Sequence, residues 1–186
     1  MTAVPEQDGH WPYRQVPFQY SLHKQKKESA ELEHLYYLAE GPHTSQLEFA
    51  EHLISNMGKR GSVLVYNKTF ENTILKHLKE EYEHLAERIE NIQNRMIDLM
   101  TPFRKNYRLS AMNGSYSIKS VLPALVPKMS YEALTIGNGG DASAAFYNLK
   151  MVKDVGEKEN TRKALLEYCG LDTLAMVKIL SKLFEH

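Results

Sequence analysis

The sequence has little cysteine, no excess of charge and no long apolar run. Its one cysteine, Cys169, excludes a disulfide framework within the chain and a zinc site built from several cysteines. Lysine plus arginine and aspartate plus glutamate each total 23, so overall charge cannot supply affinity for nucleic acid. No stretch approaches the roughly 18 apolar residues of a membrane span, and the N-terminus lacks the pattern of a signal peptide. These absences predict a cytoplasmic protein.

The chain does contain enough apolar sequence for one domain. Of its 186 residues, 42% are hydrophobic, and a chain of this length buries roughly 70% of its unfolded surface. We therefore expect residues 1–186 to form a single domain.

The apolar pattern predicts an α/β chain in which strands come early and helices late. Residues 16–23 and 34–39 are rich in aromatic and apolar side chains and predict two strands joined as a hairpin. Residues 62–66 form a short β-branched run that is typical of a buried strand. Helices are predicted for residues 45–57, 117–126, 141–152 and 160–186. This order predicts a small mixed β-sheet flanked by helices.

The most periodic stretch lies between Phe70 and Met100. Apolar side chains recur there in steps of three and four, at Leu75, Leu78, Tyr82, Leu85, Ile89, Ile92, Met96 and Leu99. The spacing predicts one long helix over residues 70–100, ended by Pro102. Because the stripe spans more than three heptads, two interpretations stay open: packing within the domain, or a homodimer through this helix.

Two places put acids where metal chemistry can use them. Asn67 and Glu71 lie where the buried strand gives way to a helix, and sites in open α/β sheets form at the carboxyl ends of strands. Tyr168 and Asp172 are four residues apart, on one helical face, where a phenol can orient a water and a carboxylate can hold a metal. The plainer alternatives are a helix start at Asn67, and a core tyrosine with a solvated acid.

Other polar residues have more ordinary interpretations. Asp98 is expected near the end of the long helix, and Asp141 is expected to cap a helix, although it is also the rival to Asp172 as the late acid. The basic residues Arg104, Lys105 and Arg108 can contact nucleic-acid phosphates. A solvated loop is the alternative for them.

Taken in order, the candidate motifs resemble those of a known superfamily. The pattern Asn67-x-x-Phe70-Glu71 is similar to the second motif of the DEDD 3′–5′ exonucleases, which have a ribonuclease H-like fold. The pattern Tyr168-x-x-x-Asp172 is similar to the third motif of the tyrosine-bearing branch of these enzymes. Each motif is short, and it is their order and spacing that carry the resemblance.

Two longer stretches narrow the resemblance. Residues 12–23 and 114–123 look like those of a bacterial domain family of unknown function within that superfamily. With them, the resemblance covers nearly the whole chain and implies a ribonuclease H-like α/β fold.

The resemblance also implies an activity. It implies two Mg²⁺ or Mn²⁺ ions, roughly 4 Å apart, that clamp an in-line attack on a nucleic-acid phosphodiester. Asp172 and Glu71 are implied as metal ligands, Tyr168 as the residue that orients the attacking water, and Asn67 as a residue shaping the strand end. Glu71 stands where the superfamily has the shorter aspartate. DNA and RNA stay open as substrates.

The first motif of the superfamily, an Asp-x-Glu pair on the first strand, is absent. Glu6 and Asp8 flank Gln7 in a loop-like stretch, and the alignment of residues 17–23 places the missing pair before Met1. We therefore expect this chain to be a piece of a longer protein, truncated at its first strand, and a poor nuclease by itself. The alternative from another class is a non-catalytic interaction module that self-associates through helix 70–100.

Overall fold

The structure is a computed structural model that describes residues 15–27, 30–41 and 44–185. Glu6, Asp8 and residues 12–14 of the sequence patterns lie outside the described residues. The strands are β1 (Gln19–Lys24), β2 (Glu33–Leu38), β3 (Val63–Val65) and β4 (Met96–Asp98). The helices are α1 (Gln46–Met57), α2 (Lys68–Glu81), α3 (Ala86–Asn94), α4 (Thr101–Lys105), α5 (Ile118–Leu125), α6 (Gly139–Asn148) and α7 (Val155–Phe184).

The α/β class is confirmed, and the described strands form two separate pairs instead of one mixed sheet. β1 and β2 form the predicted antiparallel hairpin, in register from Gln19 opposite Leu38 to Lys24 opposite Glu33. β3 pairs with β4 in parallel, and Val65 lies opposite Asp98. The hairpin packs on α7, so its hydrogen-bonding edge does not extend the β3–β4 pair.

The prediction of one helix over residues 70–100 is wrong. α2 ends at Glu81, a 3₁₀ turn follows, α3 ends at Asn94, and the chain then enters β4. The break lies at Tyr82, whose backbone (φ −122°, ψ 77°) leaves the helical region. Breaking the helix lets α2 and α3 fold against each other and lets residues 96–98 make strand hydrogen bonds with β3.

The apolar stripe of the predicted helix is accordingly inside the fold. Most of its members are buried in one apolar core with side chains of α1 and β3; these are Leu75, Leu78, Leu85, Ile89, Ile92 and Met96. The stripe therefore packs within the fold, which is the first of the two interpretations given for it.

α7 is 30 residues long and starts earlier than predicted. The Asp154 carboxylate accepts a 2.7 Å hydrogen bond from the Glu157 backbone N–H, which caps the helix, and Gly156 lies in its first turn. Arg162 then donates to the backbone oxygens of Leu38, the last residue of β2, and of Ala39 and Glu40 after it. α7 is thereby fixed against the hairpin on one side, and it packs against α5 and α6 around a second apolar core. Within the described ranges, no helix combines the length and apolar character needed to cross a bilayer.

Candidate functional site

α2 and α7 bring the two predicted acids to one place. Glu71 and Asp172 line the same open cavity, together with Lys119 and Tyr168. Burial, reinforced by the negative charge of Asp172, raises the pKa of Glu71 to about 7. Two carboxylates that are far apart in the sequence are thus close enough in the fold to resist ionising together.

The position of Glu71 depends on the carboxylate of Asp98. The Asp98 carboxylate accepts 3.0 Å hydrogen bonds from the backbone N–H groups of Asn67 and Lys68 and a 2.9 Å bond from that of Met100. It therefore satisfies free donors at the start of α2 and ties that helix to the end of β4. Asn67 itself has a left-handed backbone (φ 70°), and its side chain makes no capping hydrogen bond. Glu71 follows in the first turn of α2.

Asp172 is held by two phenols. The Tyr131 hydroxyl donates a 2.7 Å hydrogen bond to Asp172 Oδ1, and the Tyr168 hydroxyl donates to the same carboxyl. Burial raises the pKa of Asp172, whereas both hydrogen bonds and the positive charge of Lys119 oppose that rise. Burial is the largest of these effects, so the pKa of Asp172 stays above its ordinary value, and the two phenols and Lys119 limit the rise.

The two phenols are buried and stay protonated. Tyr131 is 7% exposed and Tyr168 is 9% exposed, and their rings meet edge to face with centroids 6.3 Å apart. Burial, followed by the charge of Asp172, raises the pKa of both hydroxyls. Both are consequently neutral donors at physiological pH, the form in which a phenol can hold a carboxylate or orient a water.

Lys119 completes the group from α5. Its ammonium lies 5.7 Å from the ring centroids of both Tyr131 and Tyr168 and donates a hydrogen bond to the backbone oxygen of Gly137. Ser117 is the N-cap of α5, and its side chain accepts a hydrogen bond from the backbone N–H of Lys119. This bond fixes the first turn of α5, which carries the lysine side chain.

A network of hydroxyl and imidazole groups borders the acids where the hairpin meets α7. Thr173 Oγ1 lies 2.6 Å from Ser21 Oγ and 2.7 Å from His23 Nδ1, and the imidazoles of His23 and His34 stack with centroids 4.3 Å apart. Burial, followed by the charge of His34, lowers the pKa of His23 to about 4. His23 is thus neutral at physiological pH and serves as a hydrogen-bonding side chain at this interface.

Cys169 lies next to this network but has the wrong properties for a nucleophile. Burial, followed by the charges of Asp172 and Glu71, raises the pKa of its thiol to about 12. The thiol is therefore protonated at physiological pH, the form that is a poor nucleophile.

The structure places the predicted residues unevenly. It brings Glu71, Tyr168 and Asp172 together. Asn67 lies at the start of α2, where its side chain is exposed and makes no capping hydrogen bond. Asp141 is in the first turn of α6, where the side chain of Asn138 is the cap.

The predicted basic residues Arg104, Lys105 and Arg108 are exposed in and after α4. The charge of Arg104 partly offsets the rise in the pKa of Tyr66 that burial and Asp98 produce. Arg108 stacks 6.0 Å above the ring of Tyr116, whose backbone oxygen accepts a 2.7 Å bond from Tyr66. Arg104 therefore acts on Tyr66, just after β3, and Arg108 lies over the ring of Tyr116.

Sequence reasoning missed Tyr131 and the role of Lys119. Lys119 lies within residues 114–123, a stretch already singled out by the resemblance, and this was a signal in the sequence that could have pointed to Lys119. Tyr131 is in a loop without periodicity, and no pattern in the sequence points to it.

The site has ligands of the type that a hard divalent ion prefers, but it has few of them. Glu71 and Asp172 offer carboxylate oxygens, the ligands preferred by Mg²⁺ and Mn²⁺. In the described part of the chain, no group of three or more histidine, cysteine, aspartate or glutamate side chains is arranged to hold a metal. A metal here would therefore bind through these two residues and through water or ligands from elsewhere.

Comparison with known proteins gives one result. A family model described as a domain of unknown function, DUF2779, matches residues 1–117, which is more than half of the chain. The match includes Glu71 and Arg104 but ends before α5, so Tyr168 and Asp172 lie beyond it. No curated protein and no solved structure matches the sequence.

Proposed function

We propose that this chain, which belongs to the DUF2779 family, is a metal-dependent nuclease domain of the DEDD 3′–5′ exonuclease type. The observation that carries this proposal is the meeting of Glu71, Tyr168 and Asp172 around one cavity, although α2 and α7 are far apart in the sequence. These are the residues that the resemblance assigns to the second and third motifs. The proposal includes a ribonuclease H-like arrangement of the domain, for which the parallel β3–β4 pair with Glu71 following β3 is the supporting feature.

The proposed metal ligands are Glu71 and Asp172. Mg²⁺ or Mn²⁺ bound there supplies charge stabilisation of the phosphodiester and lowers the pKa of a bound water. A buried carboxyl whose pKa is raised further by the negative charge of a second carboxylate is a surrounding that favours a divalent cation. The longer side chain of Glu71 suits ligation from the first turn of α2, directly or through a water.

The chain's own residues have distinct tasks in this proposal. Tyr131 and Tyr168 hold the Asp172 carboxylate in one orientation. Tyr168, as a neutral phenol, orients the water that attacks the phosphorus atom. Asp98 holds the start of α2, and with it Glu71, in position.

The remaining two ligands of the superfamily stay a prediction. In the superfamily they are an Asp-x-Glu pair on the first strand, and Glu6 and Asp8 fall outside the described residues.

The proposed substrate is nucleic acid, DNA or RNA. Since the net charge of the chain is zero, binding must depend on metal ions and on local basic residues. Arg104, Lys105 and Arg108 are exposed and available for phosphate contacts. The alternative of a self-associating interaction module loses the surface on which it was based, because the apolar stripe of residues 75–96 is buried.

An end-labelled exonuclease assay tests the proposal. Single-stranded DNA and RNA oligonucleotides, labelled at either end, are incubated with the full natural chain and Mn²⁺. We expect stepwise shortening from the 3′ end, and its loss in Asp172→Asn and Glu71→Gln.

Asp141→Asn is the matched control, since Asp141 is the rival acid and lies in the first turn of α6. It should cleave like the natural protein. Full activity of Asp172→Asn, or loss of activity in Asp141→Asn alone, would overturn the assignment. Stabilisation by Mn²⁺ in a thermal-shift assay should be present in Asp141→Asn and absent in Asp172→Asn.

A further inference from the structure

We infer that Lys119 binds a phosphate group of the nucleic-acid substrate beside Glu71 and Asp172. This inference rests on the proposed function and gives it a residue that neither the predicted motifs nor the resemblance assigned. The structure points to it through the position, the free donors and the charge of the lysine ammonium.

The position of Lys119 is at the acids themselves. Its side chain lines the cavity that also contains Glu71, Tyr168 and Asp172. The ammonium lies 5.7 Å from two ring centroids, those of Tyr131 and Tyr168, which are the phenols that donate to Asp172. Cation–π attraction to two rings restricts where this flexible side chain can place its charge.

Its hydrogen-bonding capacity is mostly unused. An ammonium carries three donor hydrogens, and one of them is directed at the backbone oxygen of Gly137. In residues 15–27, 30–41 and 44–185, the Lys119 ammonium has no further hydrogen-bond partner and no ion pair. Donors that face a cavity beside two acids are in a position to bind an anion.

The charge of Lys119 also meets a need of the site. A phosphodiester that approaches two carboxylates is repelled by them, and this repulsion must be offset for binding. Lys119 already acts electrostatically on Asp172, because its charge opposes the rise in the pKa of that acid. The same charge attracts a phosphate oxygen entering between α5 and α7.

A competing role is purely structural. Through its bond to Gly137, Lys119 also holds the loop between α5 and α6 against the two tyrosines. This role alone gives effects on stability, whereas a phosphate contact gives an effect on binding that depends on salt. The test must therefore measure both.

The experiment compares the binding of a single-stranded oligonucleotide to the natural protein, Lys119→Gln, Lys119→Arg and Lys150→Gln. Fluorescence anisotropy is recorded in EDTA, which prevents cleavage, at several salt concentrations. Lys150 is the matched control, because its ammonium also lies over a tyrosine ring, that of Tyr147, at 3.5 Å. Lys150 is exposed in the turn that follows α6.

We expect Lys119→Gln to weaken binding about tenfold and to reduce the slope of log affinity against log salt by about 1, as for the loss of one phosphate contact. Lys119→Arg should keep most of the affinity, and Lys150→Gln should bind like the natural protein. Unchanged affinity and slope in Lys119→Gln would overturn the inference.

A second measurement uses only the natural protein, so it tests the inference even if Lys119→Gln does not fold. Lysine acylation of the natural protein, followed by mass spectrometry, should show that the oligonucleotide protects Lys119 and leaves Lys150 reactive. Equal reactivity of Lys119 with and without oligonucleotide would overturn the inference.

These outcomes separate the inference from the proposed function. Cleavage by the natural protein with unchanged binding in Lys119→Gln removes the phosphate contact and leaves the nuclease. Absence of cleavage together with weakened binding in Lys119→Gln removes the nuclease and leaves Lys119 as a phosphate-binding residue.

Discussion

The hydroxyl of Tyr131 donates a 2.7 Å hydrogen bond to Oδ1 of Asp172, 41 positions later in the sequence. This bond ties the loop between α5 and α6 to the middle of α7. It also shows that the acid on α7 is part of a built polar group, since a second phenol, Tyr168, donates to the same carboxyl.

The Tyr131 hydroxyl should contribute to stability. In Tyr131→Phe, a buried carboxylate loses one of its two phenol donors, which should lower the free energy of unfolding by about 1–3 kcal/mol. Chemical denaturation at pH 7 measures the change. Tyr147→Phe is the control, because Tyr147 is 39% exposed; equal stabilities of the two variants would contradict the role given to Tyr131.

The carboxyl of Glu71 should make the folded chain less stable at alkaline pH. Its pKa is raised to about 7 in the fold, above the ordinary value near 4.3. Its neutral form therefore favours the folded state at low pH, and this advantage is lost as the pH rises through about 7. In EDTA, Glu71→Gln should be more stable than the natural protein at pH 8 by roughly 1–3 kcal/mol.

At pH 4 the same two proteins should have similar stabilities, since the Glu71 carboxyl is then neutral in the folded chain. Glu90→Gln, a change at an exposed position of α3, should show no such pH dependence. A natural protein as stable as Glu71→Gln at pH 8 would show that Glu71 is not buried beside Asp172.

The imidazole of His23 should make the folded chain sensitive to acid. Its pKa is lowered to about 4 in the fold, below the ordinary value near 6.5. The unfolded chain therefore binds a proton first, and stability falls as the pH decreases from about 6.5 to about 4. We expect the melting temperature of His23→Gln to fall less over this range than that of the natural protein.

His84→Gln is the control for this measurement, because His84 is exposed in the 3₁₀ turn after α2. Its melting temperature should follow that of the natural protein at each pH. Parallel curves for all three proteins would contradict a neutral, buried imidazole between the hairpin and α7.

The Asp98 carboxylate should stabilise both the fold and the site. Asp98→Ala removes the acceptor of three backbone hydrogen bonds and should lower the free energy of unfolding by about 2 kcal/mol. Since those bonds fix the start of α2, binding of Mn²⁺ through Glu71 should weaken as well. Urea denaturation and a thermal shift with Mn²⁺ measure the two effects.

Asn67→Gly is the matched change at the same helix start. The Asn67 side chain makes no capping bond and its φ is 70°, a conformation that glycine adopts readily. We expect stability to change by less than about 0.5 kcal/mol. A loss as large as that of Asp98→Ala would show that the side chain of Asn67, and not that of Asp98, holds α2.

Local features of the fold could be predicted from the sequence where the spacing of apolar residues matched a single secondary-structure element. The hairpin of β1 and β2 and the strand β3 are examples, because alternation and a β-branched run are local signals. The stretch from Phe70 to Met100 was misassigned because its period continues across Tyr82, where no proline or glycine marks the end of α2. Burial of both halves in one core decided the break, and burial is not visible in a local window.

The site was predictable as far as its residues lie in spaced motifs. Tyr168 and Asp172 share a helical face, and Glu71 follows a buried strand, so each had a local signal. The closeness of Glu71 to Asp172, and the bond from Tyr131, depend on how α2, α7 and the intervening loop pack. The capping role of Asp98 was missed because it requires the parallel pairing of β3 and β4, which the predicted helix had excluded.

The order of the elements along the chain has a consequence for synthesis. α7 follows every other described helix and strand. It carries Tyr168, Asp172 and Arg162, which donates hydrogen bonds to the end of the hairpin. A ribosome translating this chain has therefore synthesised β1 to α6 before the second acid of the site exists. Until α7 emerges and docks, the nascent chain exposes the apolar faces that α7 later covers, and it carries Glu71 without Asp172.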